Sequence, residues 1–144
     1  MATVANVTAV VTERCSAYLA KARALSGSGT IPDLAQAIGW GVRMLGYATA
    51  SLTSVSDGEV GAVSVDKLDA LCDLAELRTL ESIQTNLTAV NVTAGPLQEE
   101  FGSLAERLGE IVTERRKNVA TRYNAWLAAP LSNDAPKRAF IGVL

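Results

Sequence analysis

The sequence predicts an all-α protein, a four-helix bundle-like single domain with an extended C-terminal arm. Three observations predict it. Four separate stretches repeat apolar residues at steps of three and four, the period of one helical face. Hydrophobic residues make up 49% of the chain and charged ones 19%, a globular rather than a disordered balance. Only 5% of residues are aromatic while Ala, Leu and Val abound, which favours helices packed closely through small side chains. A chain of 144 residues is long enough for one proper core. The bundle is assigned to residues 1–128 and the arm to residues 129–144.

The first helix is predicted over about Val4 to Leu25, with Val7, Val11, Cys15, Tyr18, Ala22 and Leu25 on one stripe. Ser-Gly-Ser-Gly at Ser26 to Gly29 ends it. Thr30, Pro32 and Asp33 then form a start signal for a second helix, expected to reach about Leu52. Gly39, Gly41 and Gly46 weaken that helix, and Ala35, Gly39, Gly46 and Ala50 give it a small-residue face suited to close packing. A membrane Gly-x-x-x-Gly face is excluded, because Arg43 interrupts a segment that is too short to span. Thr53 to Ser64 reads as a loop with turn chemistry at Asp57-Gly58. Val60, Val63 and Val65 also leave a short hairpin open.

The third helix begins at Ser64 or Val65, with acids in its first turn. Leu68, Leu71, Cys72, Leu74, Ala75, Leu77, Leu80 and Ile83 cover so wide an arc that more than one side must be buried. It is therefore a central helix or one at a subunit interface. Thr88 to Pro96 breaks the period, as an extended connector does. Pro96 then opens the last helix at the position where no donor is needed. Its stripe runs through Leu97, Phe101, Leu104, Leu108, Ile111, Val112, Val119, Tyr123 and Trp126. Unbroken to Leu127 it would measure about 45–50 Å at 1.5 Å per residue, so its end is expected to project or to meet another chain.

Few routes to chemistry are open. No histidine is present, which removes the commonest general base, the Ser-His-Asp and Cys-His arrangements and most zinc and di-iron sites. Cys15 and Cys72 are isolated and read as reduced, small apolar residues. No Gly-rich phosphate loop occurs, since Ser26 to Thr30 lacks the lysine and the preceding strand. No catalytic residue, cofactor or metal is therefore predicted, and an enzyme is the least favoured class. A net charge of −2 argues against a protein whose nucleic-acid affinity rests on a large cationic surface, and no sequence-specific nucleic acid is expected as a partner. Glu13 and Arg14 interrupt the N-terminal apolar stretch, so no signal peptide is expected, and no uncharged apolar run approaches the length of a membrane span, so no membrane partner is expected. The three Asn-x-Thr sequons, at Asn6, Asn86 and Asn91, then carry no meaning.

Two charge patterns remain. Asp66, Asp69, Asp73 and Glu76 share one helical face. They form either a divalent-cation or acid–base site completed by another element, or a solvated, ion-paired stripe, the reading preferred here. A third reading sets the stripe against Arg115, Arg116 or Lys117 of another subunit. Asp69, Asp73, Arg115, Arg116 and Lys117, with Trp126 as an apolar anchor, are accordingly the predicted subunit interface. The arm is the second candidate site. After Pro130, Ser132, Asn133, Asp134 and Pro136 come Lys137 and Arg138, then the uncharged tip that holds Phe140, Ile141, Val143 and Leu144. Such a tip is expected to bury against a partner, with folding back on its own bundle as the alternative.

Two stretches, Leu71 to Leu87 (LCDLAELRTLESIQTNL) and Val90 to Arg116 (VNVTAGPLQEEFGSLAERLGEIVTERR), carry a resemblance. A leucine-rich helix, a short connector, Gly-Pro and a Leu-Ala-Glu-Arg-Leu helix ending in basic residues resemble head–tail adaptor (connector) proteins of tailed bacteriophages. The resemblance covers about the middle third of the chain. It implies a structural virion protein at the head–tail interface, made in the host cytoplasm. It also implies a homo-oligomeric, dodecameric ring joining the portal protein to a tail or nozzle protein, with a terminal arm on portal or neighbour and no catalytic residues. The Gly-rich second helix and the Val-rich loop depart from the pattern. The alternative from another class is a small oligomeric helical binding or regulatory protein.

Overall fold

The computed structural model describes residues 2–26, 34–89 and 95–131, with side chains described there except at 19–26, 86–89, 95–103 and 105. The described residues are helical and contain no strand. Five α-helices follow in order: α1 Val4–Ser26, α2 Leu34–Met44, α3 Asp57–Gly61, α4 Leu68–Ala89 and α5 Gly95–Tyr123. Short 3-10 turns at Val65–Lys67 and Asn124–Trp126 lead into α4 and out of α5.

Each start has a local cause. The Thr3 hydroxyl accepts the Asn6 N–H at 3.2 Å while the Asn6 side chain accepts the Thr3 N–H at 3.0 Å. This reciprocal pair satisfies donors that the first turn of α1 leaves orphaned. The Val4 N–H finds Asp57 Oδ1 at 2.9 Å, which ties α1 to α3. α3 replaces the loop or hairpin expected at Thr53 to Ser64. Ser56 and Glu59 form a full capping box there; Val60 lies on the helix, Val63 lies two residues past its end with its N–H on the Val60 carbonyl at 3.1 Å, and both are buried. Val65 is left 85% exposed.

α2 is shorter than expected, stopping at Met44 instead of about Leu52. The reason is Gly46, at φ +93°. The Gly46 N–H donates to the Arg43 carbonyl at 3.0 Å and the Tyr47 N–H to the Val42 carbonyl at 3.2 Å. That pair of bonds is a Schellman stop, and its left-handed residue costs a side chain about 1–2 kcal/mol.

α4 is the central helix, packed against α1, α2 and α5. Leu71, Leu74, Ala75, Leu77 and Ile83 are fully buried, and Val11, Cys15, Ile38, Val42 and Leu108 meet them from the surrounding helices in one core. Each such aliphatic side chain contributes about 1.5–3 kcal/mol. Thr79, also buried, turns its hydroxyl back onto the Ala75 carbonyl at 2.8 Å.

α5 ends at Tyr123 and is about 43 Å long at 1.5 Å per residue. Of the two outcomes expected for its end, projection does not occur. The Ala128 N–H donates to the Met44 carbonyl at 2.7 Å, and the Asn124 side chain holds both the N–H and the carbonyl of Leu131. Leu127 and Leu131 are buried in the same core. The packed body therefore extends through Leu131, past the boundary expected at residue 128.

Candidate functional site

The apolar arc of α4 is interrupted on one edge by Asp73 and Glu76, three residues apart and so one above the other. That edge faces α1 on one side and α5 on the other. From α1, Arg14 Nη1 lies 2.8 Å from Asp73 Oδ1 and 3.5 Å from Glu76 Oε1. From α5, Arg115 Nη1 donates to Glu76 Oε2 at 2.9 Å. Arg122 Nη1 is 3.6 Å from Asp73 Oδ2, and the Tyr123 hydroxyl donates to the same oxygen at 2.7 Å. Farther along, Arg116 Nη1 donates to Glu81 Oε2 at 2.6 Å, and Arg78 stands 3.8 Å from that carboxylate's other oxygen.

These pairs fix the direction of α5. Asp73, near the start of α4, meets Arg122 and Tyr123 at the end of α5. Glu76 and Glu81 meet Arg115 and Arg116 farther back, so the two helices run antiparallel. Glu76 is only 4% exposed, yet Arg14 and Arg115 reach it from the surface with their side chains 39% and 49% exposed. The guanidinium heads stay partly in water while their stems cover the seam. Among the described residues no buried side-chain nitrogen or oxygen lacks a hydrogen-bond partner. The seam thus acts as a clamp, in which acceptor-only carboxylates are gripped by donors that do not give up their protons near neutrality.

The predicted interface residues fall into two groups. Arg115, Arg116 and Asp73 are engaged inside the chain, so the register they set is that of α5 on α4. Asp69, Lys117 and Trp126 are exposed, Trp126 at 42% with its ring tilted against Tyr123, centroids 5.7 Å apart. Of the acidic stripe, Asp73 and Glu76 are ion-paired, while Asp66 and Asp69 face solvent. Phe140, Ile141, Val143 and Leu144 lie outside the described residues. Arg14, Glu76, Glu81, Arg122 and Tyr123 complete the seam without having been singled out as interface residues. The available signal was a charge inside an apolar run, at Arg14 beside Cys15 and at Glu76 between Ala75 and Leu77.

Among the described residues no group of three or more His, Cys, Asp or Glu is placed to hold a metal ion, and no helix is long and apolar enough to cross a membrane. Burial, reinforced by the Glu76 charge, pushes the Cys15 thiol from 9.0 up to about 12. The native protein should therefore leave Cys15 unlabelled by a thiol reagent at pH 8, whereas denatured protein labels both cysteines. Rapid labelling of both thiols in native protein would contradict this. Because the folded value is the raised one, the associated stability is complete below pH 9 and is lost as the pH climbs towards about 12.

Compared with family models, curated proteins and solved structures, the chain matches none.

Proposed function

We propose that this chain is a structural assembly protein without catalytic activity, a head–tail adaptor of a tailed bacteriophage. Its copies close into a dodecameric ring that joins the portal to the tail or nozzle, in the virion and earlier in the host cytoplasm. The observation that carries the reading is the α4–α5 pair. The stretch whose pattern resembles the adaptors, Leu71 to Arg116, is where ion pairs clamp a long helix onto the central one. A ring repeats one contact between identical copies, and a stiff two-helix unit keeps that contact the same at each step. Asp69, Lys117 and Trp126 are exposed and available to such a contact.

The test is native mass spectrometry of the purified chain, alone and mixed with a portal protein encoded in the same genome. A closed ring, formed alone or on the portal, is expected. A chain that stays a monomer and ignores the portal overturns the proposal. Dimers or tetramers that do not bind the portal would overturn it in favour of the helical binding or regulatory protein.

A further inference from the structure

A separate pocket of about 470 Å³ opens between α4 and α5, and neither Asp73 nor Glu76 lines it. Its volume falls in the range of small-ligand sites. Arg78, Glu81 and Gln84 reach it from α4, three residues apart and so on one face, while Gly109 and Arg116 come from α5. Gly109 makes the room. A Cβ there would stand 3.1 Å from Gln84 Nε2.

The charges in this pocket do not cancel. Two guanidinium groups face one carboxylate, which leaves a net positive charge. Arg116 Nη1 is bonded to Glu81 Oε2 at 2.6 Å. Arg78 Nη1 stands 3.8 Å from Glu81 Oε1, beyond hydrogen-bond reach. What orients Arg78 is Trp40 of α2, with the guanidinium carbon 5.3 Å from the ring centroid. The Arg78 side chain is 45% exposed. Its fork of N–H donors is thus held against a ring without being spent on Glu81. The hydroxyls of Thr85 and Thr113 on the rim donate back to their own helices at 2.9 Å. The donors the pocket offers are therefore guanidinium and the Gln84 amide.

We propose that this pocket binds a small oxyanion, a phosphate or a carboxylate group, on Arg78. Two oxygens of such a group accept two parallel N–H donors from one guanidinium, a geometry that a lysine does not supply. One negative charge neutralises the site, and Glu81 stays on Arg116 throughout. The Trp40 ring keeps the Arg78 fork in place before the anion arrives, so little side-chain freedom is lost on binding. This inference does not rest on the adaptor reading. It gives the α4–α5 pair a ligand site beside the clamp.

Trp40 reports on the site directly. In a Trp126→Phe background it is the sole tryptophan. Its emission is titrated with inorganic phosphate and with acetate, each against sodium chloride of the same ionic strength. The arginine side-chain NMR signals follow the same titrations. A saturable response to at least one of the two oxyanions is expected in the millimolar range, with none to chloride, and the tighter of the two identifies the group bound. Arg78→Lys keeps the charge and should weaken binding about tenfold. Gly109→Leu fills the pocket without altering a charge and should abolish binding. The Gln84 amide it displaces is the end of a flexible side chain, so the far-ultraviolet helical signal should be retained. Arg107→Ala removes an exposed α5 cation outside the pocket and should bind as the parent does. No saturable response to either oxyanion overturns the proposal. An equal response in the parent and in Gly109→Leu overturns it as well. So does a loss in Arg107→Ala as large as that in Arg78→Lys, because the attraction would then belong to the general field of the protein.

Discussion

Gly41→Leu is expected to lose about 3 kcal/mol of stability, the upper end of what overpacking a closed core costs. Gly41 is buried on the face of α2 that presses on α4. A Cβ there would stand 2.9 Å from Leu71 Cδ1, 3.4 Å from Leu74 Cβ and 3.5 Å from the Leu71 carbonyl oxygen. The first of these is the tip of a flexible side chain and can turn aside. The other two are fixed to the α4 backbone. Gly41→Ala should therefore come out near neutral. The displaced Leu71 tip costs packing, and the gain in helix propensity of about 1 kcal/mol offsets it. Leucine has no such escape, because its further atoms go where Leu74 and the α4 main chain already are, and α2 must lift away. The midpoint of thermal unfolding should fall by about 10 °C for a chain of this size. Urea unfolding of the three proteins measures the order directly. A Gly41→Leu loss below that of an ordinary surface change would mean that α2 does not seat on α4 at this glycine.

The same contact shows what the sequence made legible. The period of the apolar residues found α1, α4 and α5, because a buried stripe is a local property of one helix and is written in consecutive residues. It also marked α4 as central, since an arc as wide as Leu68 to Ile83 has no single partner that can cover it. The end of α2 was misplaced because the small residues continue past Met44, while the actual stop is a single left-handed glycine among several. α3 was missed although its capping box, Ser56 with Glu59, stands in the sequence. A helix of five residues leaves too few apolar positions for a period to show. The seam was only half legible. Spacing put Asp73 and Glu76 on one face, but which helix supplies the cations depends on how α1 and α5 approach. Arg14 and Glu76 are separated by almost half the chain, and no local pattern joins them. Spacing alone also leaves Arg115 and Arg116 open to a partner subunit's acids, because it does not say that α5 folds back along α4. Reversing Arg115 would now set a carboxylate against Glu76 within the fold, so subunit stability would suffer along with any assembly.

Glu76→Lys should be the most damaging single change in the molecule, at about 4 kcal/mol, the range found when a buried pair is left with an uncompensated charge. The favourable part of the native pairs is not the source of that figure. Arg14 and Arg115 are more than a third exposed, so water and salt screen their attraction for Glu76, and pairs of this kind contribute about 1 kcal/mol or less. The loss arises from the position itself. Residue 76 is 4% exposed, flanked in sequence by the buried Ala75 and Leu77, with two guanidinium groups converging on it. A lysine there stands beside the guanidinium groups of Arg14 and Arg115, and the neighbouring Asp73 carboxylate is already shared among Arg14, Arg122 and Tyr123. Opening α5 from α4 relieves that repulsion, which converts a local conflict into loss of the bundle. Three substitutions separate these contributions. Glu76→Gln keeps the shape and one acceptor, and should lose about 1–2 kcal/mol, the cost of weakening charge-assisted bonds. Glu76→Leu fills the space and lets both arginines turn to solvent, so it should lie within about 1 kcal/mol of the parent. Glu76→Lys should fall far below both, with the midpoint lowered by about 12 °C. Denaturant unfolding and far-ultraviolet melts read all three. Should Glu76→Leu lose as much as Glu76→Lys, the clamp draws its strength from the ion pairs themselves. Should Glu76→Lys remain as stable as the parent, α5 is not held on α4 at this seam.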